Sequence, residues 1–337
     1  MPDLFDMEEN IFGGGVPLDN RPDLEEIVRR YNNQAEEQVF LAHKRWAANL
    51  REYIRTETGL KMGVNEKDFA SVPMTVTPGI PKSLSNLFTQ NDSFLDLLFV
   101  LPQLETTVRG LEALIQSSEM ISFEGLAGDS TVTSDELRRV LQYTENVVNS
   151  LKKRNLLNRI ANIDEDILGA YFYKREVKYD LPYYQPRTVE RQYIEIFWLP
   201  IALTASLINV SVESLAVVVM AHELAHAFTH RGADIDGERW DTRAFSEADS
   251  YIKEGLAQFY TASVCHRLYE RFPAALDTYE KFLTLQSGAY LIHQTWAVKH
   301  KAQKEVVRAA TIKCRKSQAK IYKHFKELIE TEETALS

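Results

Sequence analysis

From Val217 to His230 the chain reads VVVMAHELAHAFTH. No other stretch restricts the fold as much. On a helix, residues four apart share a face, so His222 and His226 aim a ring nitrogen at one point and Glu223 sits beside it. The turn before them is apolar, as a buried helix requires. Two imidazoles and a carboxylate inside such a helix need partners, because unpaired buried polar groups are costly. A metal ion meets that need. In the pattern H-E-x-x-H, two imidazoles bind Zn²⁺ and the glutamate handles the water on it. The ion lowers the pKa of that water toward about 7, and Glu223 can take its proton as it attacks a carbonyl. His230 extends the four-step series, but it would lie about 6 Å further along the axis than His226, too far to converge on one tetrahedral ion. It is expected to be a last-turn residue favoured by the helix dipole, or a contact behind the ligands or to substrate.

A third ligand is expected on the next strong helix. Ser211 caps the first helix, with Glu213 in its first turn, and Gly232 is its stop. After the loop GADIDGERWDTRAF, a helix is expected from Ser246 to about Arg271, with Ser246 and Asp249 as a capping-box pair. It carries Glu254 in YIKEGLAQFY, and Ala257, Thr261 and Cys265 follow on the same small, uncharged face. A lone glutamate buried there would be unfavourable unless paired or metal-bound. Glu247 and Asp249 are nearer rivals, but they stand in the first turn, where acids are common anyway.

The rest of the chain reads as α+β and predominantly helical. A helical N-terminal region, 1–157, precedes a second domain, 158–337, with a small sheet beside the H-E-x-x-H helix. Residues 1–20, with Gly13-Gly14-Gly15 and several acids, read as flexible. Helices are expected from Pro22 to about Glu57, ending at Gly59, and over 93–118 and 134–156. Residues 60–92 hold Pro73, Pro78 and Pro81 and read as irregular connection. Near Ile160 the character changes: 166–181 and 191–200 are rich in β-branched and aromatic residues and read as strands. Helices at 201–208, about 274–286 and 301–331 complete the pattern.

Composition excludes several classes. A net charge of -9 argues against a general nucleic-acid binder. The most apolar stretches, 194–208 and 215–221, are too short to cross a membrane. The N-terminus has neither a basic nor an apolar signal segment, and Cys265 and Cys314 suit neither a disulfide framework nor a zinc knuckle. A cytoplasmic setting is expected.

H-E-x-x-H on one helix, with a glutamate in an E-G-[LF]-A stretch on the next, resembles the gluzincin metallopeptidases, which include thermolysin and many zinc aminopeptidases. The resemblance covers about 165–265. It implies a zincin-like domain that hydrolyses peptide bonds. It also implies Zn²⁺ on His222, His226 and Glu254, with Glu223 as general base. Thermolysin-type enzymes carry an aspartate four residues after the glutamate ligand, orienting a ligand histidine. Here that position is Gln258, whose amide oxygen can accept an imidazole N–H more weakly. Such enzymes also need a donor for the oxyanion of the tetrahedral intermediate. Tyr260, Tyr290 and His293 are candidates, and gluzincin chain order favours His293.

Arg243 and Arg308 are candidates for a substrate carboxylate, with ion pairing as their structural alternative. Asp234 and Asp236 would either orient His226 or hold their loop. The segment 191–199 is the candidate edge strand for pairing with an extended peptide or protein substrate. The alternative function is a structural or sensory metal site in a regulatory protein, with the N-terminal helices binding a protein partner.

Overall fold

The computed structural model describes residues 28–29, 32–62, 72–78, 106–116, 134–153, 168–179, 187–300, 304–317 and 320–336. The expected flexible segment 1–20 and the start of the expected helix at Pro22 lie outside them. Helix α1, Ala35–Thr58, buries Ala35, Val39, Ala42, Trp46, Leu50, Ile54 and Thr58, one stripe at helical spacing. It ends at Gly59, in the left-handed region with φ 65°. It does not run unbroken from Pro22. Asn32–Gln34 form a turn in which Asn32 Oδ1 accepts the Gln34 N–H at 3.1 Å, so a local side-chain bond interrupts the helix. Helices α2 (106–116) and α3 (Ser134–Lys153) follow.

A three-stranded sheet has the order β1-β3-β2. Strand β1, Met74–Thr77, lies where irregular connection was expected, between Pro73 and Pro78. It pairs in parallel with β3, Met74 opposite Ile194 and Thr77 opposite Phe197. Strands β2, Gly169–Tyr179, and β3, Arg187–Phe197, are antiparallel, with Tyr171 opposite Ile194. β3 ends at Phe197 rather than Pro200. Pro200 lies in the first turn of α4, Trp198–Leu207, where a missing N–H breaks no helical bond.

Helix α5, Val212–Arg231, is the centre of the fold. Ser211 Oγ accepts the Ser214 N–H at 3.0 Å, a cap that contributes about 1 kcal/mol. Every α5 residue except Glu213 and Arg231 is buried. A helix apolar on all sides must be covered on all sides, and α5 touches α1, α4, β2 and β3. It also packs on helices α7 (Ser250–Leu268) and α8 (Pro273–Leu283). Trp46 Nε1 and Arg45 of α1 donate to Glu213 Oε1 at 3.0 and 3.1 Å, tying α1 to the first turn of α5. The core includes Val28, Val39, Leu50, Leu60, Val72 and Met74 with Ile194, Val217 and Leu256. Residues on both sides of position 157 therefore share it.

Short helix α6, Thr242–Ser246, precedes α7. The α7 cap is Asp249, whose Oδ1 accepts the Tyr251 N–H at 3.0 Å. Ser246, the expected cap, instead donates to the Arg243 carbonyl at 2.8 Å. Past α8, a 3₁₀ turn, Gly288–Leu291, leads into α9, Ile292–His300. The single helix expected at 301–331 is two, α10 (Lys304–Ser317) and α11 (Tyr322–Leu336). Asp249 holds the start of α11, since its N–H donates to the Lys320 carbonyl at 2.8 Å and its Oδ2 accepts the Tyr322 N–H at 3.3 Å. No helix among the described residues is long and apolar enough to cross a membrane.

Candidate metal centre

The sequence places His222, Glu223 and His226 on one helix; the fold brings Glu254 to them from α7. His222 Nε2 lies 3.2 Å from Glu254 Oε2, His226 Nε2 lies 3.2 Å from the same oxygen, and the two Nε2 atoms are 3.1 Å apart. Three ligand atoms thus form a nearly equilateral triangle. An ion at about 2.0–2.1 Å from each, with tetrahedral angles, needs edges of about 3.3 Å. The donor set therefore fits a zinc-sized ion with little movement. Among the described residues, these three are the His/Cys/Asp/Glu group able to hold a metal.

Burial raises the Glu254 carboxyl, but His226 and His222, by charge and hydrogen bonding, outweigh that and hold it well below the ordinary carboxylate range. The carboxylate is therefore anionic between the two imidazoles. The two histidines and Glu223 are buried, at 8%, 4% and 2% exposed, while Glu254 is partly exposed.

Two glycines let the walls approach. A Cβ at Gly169 of β2 would stand 2.8 Å from Val219 Cγ1 and 3.1 Å from Glu223 Cγ, so only glycine lets the strand lie this close over Glu223. A Cβ at Gly255, beside Glu254, would stand 2.6 Å from Ile292 and 2.7 Å from Trp296. That glycine explains the E-G pair: α9 packs directly on the helix carrying Glu254. Tyr290 of the 3₁₀ turn then stacks on His222, centroids 6.0 Å apart and planes at 29°.

The chain has no family-model match, and neither a curated protein nor a solved structure matches it.

The remaining candidates separate clearly. His293 is buried beside His222, yet both its ring nitrogens are engaged, Nδ1 with the Tyr290 carbonyl at 2.9 Å and Nε2 with Tyr279 Oη at 3.0 Å. Burial pushes the imidazole down to about 4 and His222 adds to that, against the Tyr290 carbonyl. A neutral ring that donates to Tyr290 and accepts from Tyr279 has no proton left for an oxyanion, so in this conformation His293 supports the wall. Tyr260 faces away, toward Thr311, Arg308 and Arg315. Of the three candidates, Tyr290 is the one whose ring stacks on His222.

Gln258 Oε1 is buried and accepts no hydrogen bond, and His222 Nδ1 likewise has no partner among the described residues. Among the described residues, then, the Gln258 amide oxygen does not make the weaker imidazole contact open to it.

Asp234 holds its own loop, accepting the Asp236 and Glu238 N–H groups at 2.9 and 3.0 Å, and Asp236 pairs with Lys316 at 2.8 Å. Neither orients His226. Arg243 pairs with Glu247 at 2.8 Å, and Arg308 donates to the Gly59 carbonyl at 3.1 Å. His230 is fully buried, with Nδ1 2.7 Å from Tyr171 Oη and Nε2 3.1 Å from Thr242 Oγ1. Burial, with Arg231 and Arg315, pushes it down to about 3, so it is neutral and the charge–dipole role expected of it does not hold.

The expected edge strand at 191–199 is also displaced. Among the described residues β3 is central, paired on both sides over Ile194–Phe197, and β2 is an edge strand, the one packed along α5. Gly169, Tyr171 and Tyr173, alternate residues on one face of β2, meet Glu223, His226 and Phe245 in turn. The alternation G-A-Y-F-Y was the signal in the sequence that could have singled out Tyr171.

Proposed function

We propose that the protein is a zinc-dependent peptidase of zincin-like build. The observation that carries this is the triangle of His222 Nε2, His226 Nε2 and Glu254 Oε2, with edges of 3.1–3.2 Å, on a helix that also bears Glu223. His222, His226 and Glu254 would hold the ion, leaving a fourth position for water or substrate. A zinc ion bound there supplies Lewis acidity, polarising the scissile carbonyl and making water nucleophilic near neutral pH. Glu223, one residue from His222 and buried under β2, takes the proton of the attacking water and returns it to the leaving amine. Extended substrate adds to the outer edge of β2, which runs past Glu223 and His226. The small sheet with its edge strand along α5, and the third ligand on the next long helix, support the zincin-like reading.

The test is metal analysis of the purified chain beside a peptide-library digest, run on wild type and Glu223→Gln. About one zinc per chain and cleavage by wild type alone support the proposal. A Glu223→Gln protein that binds zinc and cleaves as fast as wild type would overturn the role of the base, and a chain that binds no metal would overturn the whole.

A further inference from the structure

His230 is the member of the histidine series that the proposed chemistry leaves unused, and its surroundings assign it a task. Its ring is the joint of three elements. From α5 it meets Tyr171 of β2 through Nδ1 at 2.7 Å and Thr242 of α6 through Nε2 at 3.1 Å. It also lies flat on Phe245 of α6, centroids 4.6 Å apart and planes at 10°. Tyr171 in turn lies parallel to the ring of His226, at 6.5 Å and 7°. The same strand begins at Gly169, against Glu223. The His230–Tyr171 hydrogen bond and the Tyr171–His226 ring contact therefore link His230 to the strand that lies over His226 and Glu223.

We propose that His230 is a positioning residue that acts through Tyr171, fixing strand β2 relative to His226 so that an extended peptide added to β2 presents its scissile bond at the metal. This rests on the peptidase reading above. An extended substrate depends on the strand, whereas a dipeptide, too short to pair with it, does not. Loss of the His230–Tyr171 bond should therefore weaken cleavage of long peptides while leaving the ion bound.

The experiment compares full-length wild type with His230→Phe, Tyr171→Phe and the double variant, each checked for folding by circular dichroism. Three quantities are read: metal-to-protein ratio, the visible absorption of the Co²⁺-substituted protein, and kcat/KM on an eight-residue and a two-residue peptide. Both single variants are expected to keep the wild-type metal ratio and to lose about tenfold in kcat/KM on the long peptide, the scale of an outer-contact loss. The short peptide, which does not pair with the strand, should lose clearly less than the long one, and the double variant should be no worse than either single. His230→Asn, whose amide can occupy the Nδ1 position and still meet Tyr171 Oη, should recover most of the loss; if His230→Phe does not fold, Tyr171→Phe and His230→Asn carry the comparison. Losses that multiply in the double variant, or that fall equally on both peptides, would overturn the proposal. So would loss of metal in His230→Phe alone, which would make His230 a ligand. A wild type that binds metal but cleaves no peptide sinks the peptidase reading instead. The Co²⁺ spectrum then decides on its own: the same shift in the singles and the double supports the coupling of His230 through Tyr171 to His226, and an unchanged spectrum in all three overturns it.

Discussion

His222 Nε2 and Glu254 Oε2 are 3.2 Å apart although 32 positions separate them in the chain. Close packing of α7 on α5 makes this contact, and the small buried residues Ala257 and Thr261 of α7 allow it. Three donor atoms meet where two helices touch, so their triangle is only as rigid as that packing.

Glu223→Gln keeps the shape of the side chain and removes its basicity. Peptide cleavage should fall by about 10²–10⁴-fold, with one zinc per chain retained. Atomic absorption and a peptidase assay on the same preparation check both halves.

Glu254→Gln removes the negative charge that two buried imidazoles face. Zinc affinity should drop by more than about a hundredfold, beyond the usual loss for an outer contact. Competition with a chromogenic chelator reads this. Wild-type Tm should fall when metal is stripped, because a ligand that binds only the folded state stabilises it, while the variant's Tm should not respond.

Gly169→Ala adds a methyl group where Val219 Cγ1 would be 2.8 Å away and the Glu195 carbonyl oxygen 3.2 Å away. Strand β2 must lift from α5. Overpacking of this kind costs about 1–3 kcal/mol, readable as a lower urea midpoint. Cleavage should suffer in addition, because the strand moves away from Glu223.

Stability should fall in acid through His230. Its folded-state pKa, about 3, lies below the ordinary 6.5. Above 6.5 the ring is neutral in both folded and unfolded chains and its contribution is complete. As pH falls from 6.5 toward 3, the unfolded chain takes up a proton that the folded chain refuses, and stability is lost. Urea unfolding at about pH 7.5 and about pH 4.5 should show a smaller difference for His230→Phe than for wild type.

The local half of the site was readable in the sequence. Four-step spacing puts His222 and His226 on one face whatever surrounds them, and Ser211 and Gly232 bound the helix by side-chain and backbone chemistry alone. The antiparallel pair β2 and β3 was readable from its β-branched and aromatic residues. What the sequence hid depends on distant partners. Met74–Thr77, between two prolines, is a strand only because β3 offers it an edge. Asp249 outranks Ser246 as a cap because it also holds the start of α11. His293 is engaged at Nε2 by Tyr279, a residue of α8 that its own stretch of sequence does not announce. Tyr171 meets His226 only because its strand lies along α5.

The bond between Arg45 of α1 and Glu213 of α5 spans 168 positions. During synthesis, the stripe Val39–Trp46–Leu50–Ile54 leaves the ribosome long before the helix that covers it exists. The early half of the chain must therefore wait, partly exposed, for the later half. A shortened version starting after residue 157 would strip α5 of one wall and β3 of one neighbour. Expression of the isolated C-terminal half should give aggregate, and adding residues 28–78 in trans is the natural rescue to attempt.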